Sequence, residues 1–108
     1  MRETSLFKAD AMNENGEINI PLVILKSERE NSLLPYVGFI PGFFMKNINS
    51  ATIEDCKFKL KEYLVQKIKI LIKNDEPFPF FPTKEEIIKE YENIASIDYI
   101  KIKSGKKQ

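Results

Sequence analysis

Ile20-Pro21-Leu22-Val23-Ile24-Leu25, then Tyr36-Val37-Gly38-Phe39-Ile40-Pro41-Gly42, then Ser50-Ala51-Thr52-Ile53-Glu54-Asp55-Cys56 are the three segments that decide the fold. The first is an apolar, branched run that reads as a strand, with a proline best tolerated at a strand start or at a sheet edge because it has no N–H to donate. Ser27-Glu28-Arg29-Glu30-Asn31-Ser32 reads as a charged hairpin loop. Pro35 to Ile40 is a second strand, with Tyr36, Gly38 and Ile40 alternating against Val37 and Phe39 until Pro41-Gly42 stops it. Phe43 to Ile48 is expected to return as a third strand. The order predicts a β-β-β-α module.

The helix that follows has a defined start. Ser50 or Thr52 can cap it, and Thr52 is the better N-cap because Asp55 lies three residues on and favours the positive end of the helix dipole. Ile53, Cys56, Leu60, Leu64, Ile68 and Leu71 recur at intervals of three and four, which puts them on one face with Tyr63 at its margin. That face is expected to cover the sheet. Phe58, Val65 and Ile72 form a second stripe, seven residues apart and pointing well away from the first, to be covered by the C-terminal segment or by another chain.

Beyond the helix, Pro77-Phe78-Pro79-Phe80-Phe81-Pro82 cannot be helical and must run extended along something apolar. Two readings stay open: a strap tying the helix to the body, or a proline-rich ligand for a recognition domain. Thr83-Lys84-Glu85-Glu86 forms a capping box that launches a helix through Ile87, Ile88 and Tyr91 towards Asn93. Ile97, Tyr99, Lys101 and Lys103 then alternate with Asp98, Ile100 and Ile102 in a closing strand that can dock beside the earlier ones. Asn13-Glu14-Asn15-Gly16 is a turn signal ahead of the first strand. The expected organisation is therefore residues 1–17 as a flexible arm or added edge strand, 18–103 as one domain, and 104–108 as a tail.

Composition excludes more than it assigns. With 108 residues, 43% hydrophobic and 31% charged, the chain has ordinary globular proportions, and lysines interrupt its apolar runs well short of a membrane span. Met1-Arg2-Glu3-Thr4-Ser5 is followed by Lys8 and Asp10, not by an apolar region, so no signal peptide is read and a cytoplasmic location is expected. Cys56 is the single cysteine, which rules out an internal disulfide and reads as a small core residue. Seventeen basic and sixteen acidic residues leave a formal charge of +1, no field for nucleic acid or anionic lipid. Lysines 57, 59 and 61, and 101, 103, 106 and 107, have acids mixed in or adjacent and read as a solvated face, with a weak nucleic-acid-binding module as the alternative.

Histidine is absent, so histidine-dependent catalysis is excluded. No G-x-S-x-G turn occurs, the four glycines are too scattered to cradle phosphate, and the strand segments are almost free of the carboxylates that a ribonuclease H type metal site would need. No catalytic residue, cofactor or metal ligand is expected.

The same residues carry a resemblance. Ile20 to Leu25, Tyr36-Val37 followed by Phe39-Ile40-Pro41-Gly42, and Ser50 to Cys56 resemble the N-terminal domain of HicB-like antitoxins, and the proline-rich link, second capped helix and closing strand Asp98 to Lys103 are similar to that family's later half. The likeness spans roughly Ile18 to Lys103. Where the family usually reads Pro-Asp-Leu-Pro-Gly-Cys, this chain has the shorter Pro41-Gly42-Phe43-Phe44, and Cys56 takes the usual alanine place. The resemblance implies an α+β fold of the partial ribonuclease H-like kind, without nuclease activity. Such antitoxins often carry a separate DNA-binding domain, and this sequence is expected to lack it because it ends before one could begin. The resemblance also implies a binding role: occlusion of a small HicA-like toxin that cleaves messenger RNA. Homodimerisation, through a strand edge or through the second helical stripe, is expected for a domain this small.

Candidate contact residues under that reading are Phe43 and Phe44, the stripe Phe58, Val65 and Ile72, and the cluster Phe78, Phe80 and Phe81, each with a core role as its alternative. An orphan homodimeric scaffold is the alternative for the chain as a whole.

Overall fold

The computed structural model describes residues 17–28 and 33–103, and expectations for residues 1–16, for 29–32 of the hairpin loop and for 104–108 lie outside it. In chain order the elements are β1 (Glu17–Lys26), β2 (Tyr36–Phe39), β3 (Ile48–Ser50), α1 (Ile53–Lys73), α2 (Lys84–Glu90) and β4 (Ile94–Lys103). The chain is α+β, with a four-stranded antiparallel sheet in the order β3-β2-β1-β4 and two helices. No helix among the described residues is long and apolar enough to cross a membrane.

β1 is the centre of the molecule. Its alternate residues Ile18, Ile20, Leu22 and Ile24 are buried in one cluster with Cys56, Leu60 and Leu64 of α1, so this face of the sheet carries the long helix. Removing each such side chain from water contributes about 1.5–3 kcal/mol before the cost of ordering the chain is counted. Across the ladder Ile100 lies opposite Ile20 and Ile102 opposite Ile18, while Asp98 lies opposite Leu22. Lys57 Nζ of α1 reaches Asp98 Oδ2 at 2.6 Å, which puts one flank of the helix towards β4.

The other face of β1 is also closed. Pro21 and Val23 are fully buried, as is Ile87 of α2 at 1% exposure. Val23 pairs with Phe39, whose ring stands 5.0 Å from that of Tyr91, and Pro21 pairs with Tyr99, whose hydroxyl donates to the Pro82 carbonyl at 3.5 Å. The segment from Pro82 to Tyr91 thus crosses the second face and leaves β1 covered on both. A strand buried on both faces needs an unbroken apolar run, and Ile20 to Leu25 is one.

Pro21 keeps to its rule within this central strand. β2 pairs only with Val23 to Lys26, so at Pro21 β1 has a paired neighbour on the β4 side alone.

Three elements have boundaries that differ from the sequence reading by more than a residue. The third strand is only Ile48–Ser50, not Phe43 to Ile48. Gly42 adopts φ +106°, the Phe43 N–H donates back to the Ile40 carbonyl at 3.1 Å, and Met45 Sδ accepts the Ile40 N–H at 3.4 Å, so the chain folds on itself before it can pair. Helix α2 stops at Glu90 rather than running towards Asn93, because Tyr91 is already extended and packs its ring at a tilt of 58° against Phe39. Asn93, at φ 60°, accepts the Lys26 N–H at 2.8 Å and donates from Nδ2 to Glu28 Oε2 at 2.7 Å, so β4 begins at Ile94, ahead of Ile97.

Both helix starts follow their caps. Thr52 Oγ1 accepts the Asp55 N–H at 3.0 Å. At α2 Thr83 Oγ1 accepts the Glu86 N–H at 3.2 Å, and Glu86 Oε1 accepts the Thr83 N–H at 2.8 Å, a complete capping box.

Candidate functional site

The ionisable groups do not converge. Among the described residues no cluster of three or more His, Cys, Asp or Glu side chains could hold a metal ion. Cys56 is fully buried, and burial pushes its thiol up from the ordinary value while the neighbouring Ser50 hydroxyl acts the other way. A protonated, enclosed thiol is a packing group. Lys59 pairs with Asp55 at 3.1 Å along the helix, and Lys101 lies 4.0 Å from Glu17 across the sheet, so the lysine-rich surface is interleaved with acids.

Apolar groups at the surface are more informative, and the first set lies at the Pro41-Gly42 corner. Positive φ at Gly42 lets the backbone turn tightly, and a Cβ there would stand 2.9 Å from a Phe81 ring carbon and 3.2 Å from the Phe80 carbonyl oxygen. The corner and the proline-rich segment are therefore pressed together. Phe43 meets Phe81 edge to face at 5.4 Å and 87°, and meets Tyr63 of α1 at 6.3 Å, with Lys67 Nζ 5.6 Å above its ring centre. Phe43, Phe78 and Phe81 are partly buried against the core and serve packing. Phe44 is fully exposed and Phe80 is exposed by 55%, so two aromatic side chains reach solvent from the two segments that meet at Gly42.

The second set is the stripe on α1. Phe58, Val65 and Ile72 are exposed by 60%, 49% and 67%, and no described segment covers them. Of the two coverings expected from sequence, the C-terminal segment goes elsewhere: it crosses the opposite face of the sheet through α2. The strap reading of Pro77 to Pro82 matches the packing of Phe78 and Phe81.

The eight candidates thus divide into three that pack inward and five that face solvent, in two separate sets. Sequence reasoning passed over Leu33 and Leu34, both exposed just ahead of β2. Two leucines between Ser32 and Pro35, in a stretch read as loop, were the available signal. It also passed over Ile88, exposed on α2.

No protein-family model, curated protein or solved structure matches the chain. The HicB-like resemblance accordingly rests on the residues quoted for it.

Proposed function

We propose that this chain is a non-catalytic protein-binding domain of the HicB-like antitoxin kind, with a partial ribonuclease H-like fold, which neutralises a small HicA-like toxin by covering the surface that toxin uses on messenger RNA. The observation that carries the reading is the aromatic corner, where Phe44 and Phe80 project from a base fixed by Phe43, Phe81, Tyr63 and Lys67. Exposed aromatics on a rigid base are the side chains that most often anchor a protein interface, because they bury large area with little left to order on binding. A blocking role requires no bond to be made or broken, only a surface that excludes RNA. The expected setting is cytoplasmic.

Co-expression with tagged candidate toxins tests it, read by pull-down and by protection of a reporter messenger RNA from cleavage. A stoichiometric complex and full protection are expected, and both are lost on Phe44→Asp or Phe80→Asp with the free domain still folded. Failure of every toxin to bind, or complexes unchanged by both substitutions, overturns the reading. A homodimeric scaffold is the second reading, favoured by the uncovered stripe on α1; it is the one that stands if no toxin binds.

A further inference from the structure

Helix α1 carries two apolar periodicities. Residues packing on its own sheet, Cys56, Leu60, Leu64 and Leu71, are spaced by four, four and seven, whereas Phe58, Val65 and Ile72 are spaced by seven throughout. At about 100° per residue the second stripe lies roughly 120° around the helix from the first. A strict repeat of seven is the spacing of a seam between two helices and stays in line along a partner helix over several turns. Three exposed side chains in one such line are more than scattered surface residues.

We infer that this stripe pairs with the same stripe of a second copy of the chain, the two α1 helices running antiparallel with Val65 on the two-fold axis. Phe58 of each copy then faces Ile72 of the other, matching a large side chain with a branched one at both ends. The flanking charges select this arrangement. Glu62 and Lys69 are both exposed, lie on the same flank of the stripe, and take part in no ion pair with a described residue. With Val65 on the axis, a rise of about 1.5 Å per residue leaves Glu62 of one copy and Lys69 of the other only about 1.5 Å apart in height, on the same side of the seam, and the symmetry makes the pair twice. Like charges are kept apart: the two copies of Lys69 are about 12 Å apart in height and those of Lys61 also about 12 Å, beyond the screening length in physiological salt. A parallel pairing would instead place Glu62 level with Glu62 and Lys69 level with Lys69.

The geometry leaves the aromatic corner free, so the self-pairing stands or falls apart from the toxin-binding reading. Sedimentation velocity of the full chain over a hundredfold concentration range tests it, together with cysteine cross-linking, for which the buried Cys56 is silent. Expected are a monomer–dimer equilibrium, its loss in Val65→Asp with an unchanged circular dichroism spectrum, and rapid disulfide formation by Val65→Cys. Phe58→Cys, whose two copies would stand about 21 Å apart in height, should not cross-link to itself. Glu62→Lys and Lys69→Glu should each weaken the dimer at least tenfold, and the double variant should restore it.

A chain that stays monomeric throughout overturns the inference, as does a dimer that survives in folded Val65→Asp. Cross-linking of Phe58→Cys as fast as Val65→Cys would replace the antiparallel seam with a parallel one. If the double charge variant fails to recover what the singles lose, the register is wrong.

Discussion

Gly38 on β2 and Cys56 on α1 meet with no room for a methyl group between them: a Cβ at position 38 would stand 2.5 Å from the Cys56 sulfur and 2.9 Å from Leu60 Cδ1. The helix lies this low on the sheet because the strand offers hydrogen where other residues offer carbon. Since both neighbours are fully buried, neither can swing away into solvent. Gly38→Ala should cost about 1–3 kcal/mol in urea unfolding. Combined with Cys56→Ala, which clears the closer contact, the loss should fall short of the sum of the two single changes.

The two faces of α1 should respond differently to truncation. Leu60 is fully buried, and Leu60→Ala should remove about 2–5 kcal/mol through lost transfer energy and the cavity left behind. Phe58→Ala, measured at a concentration where the chain is monomeric, should stay within about 0.5 kcal/mol of the parent. Equal losses at both positions in denaturant titrations would mean that Phe58 is covered within its own chain.

Helix α2 is only seven residues, too short to hold itself together without its capping box and the burial of Ile87. Thr83→Ala removes the acceptor for the Glu86 N–H, and a stability loss of about 1 kcal/mol is expected. Amide exchange at Tyr91, whose N–H donates to the Ile87 carbonyl, should accelerate before that of the central strand.

Tyr99 gives the domain an alkaline sensitivity. Its phenol is pushed above the ordinary value of 10.0, first by burial and then by the carboxylates of Glu85 and Glu86. The folded chain holds the proton more tightly than the unfolded one, so the contribution is fully present below about pH 10 and is lost as pH rises towards and through the folded value. Unfolding midpoints of Tyr99→Phe should therefore fall less steeply above pH 10 than those of the parent. Identical slopes would show that Tyr99 does not titrate differently in the two states.

Much of this architecture is legible along the chain where its cause is local. Thr52 and Thr83 announce their helices because a cap and its N–H donor are three residues apart, and Ile53 to Leu71 shows its buried face through spacing alone. Ile20 to Leu25 reads as a strand, but its burial on both faces depends on α2, some sixty residues further on. The stretch after Gly42 misleads for the same reason. Phe43 and Met45 have strand-forming neighbours, yet the Phe81 ring and the Ile40 N–H, one distant and one just past the end of β2, claim them first. At the surface, the seven-residue recurrence of Phe58, Val65 and Ile72 is visible in sequence, whereas the choice between Phe43 and Phe44, adjacent and identical in type, is made only by tertiary contact.

The pairing of β1 with β4 joins Glu17 to Lys103, the first and last residues described, and this sets an order of events at the ribosome. β1 is synthesised first and can hairpin at once with β2, but its second edge has no strand to meet until everything from residue 27 to residue 93 has been translated. A strand apolar on both faces thus spends most of translation with one edge open to other chains. Slow codons or a stall between α2 and β4 should raise the aggregated fraction, while the finished domain, released late, should close by a long-range and comparatively slow step.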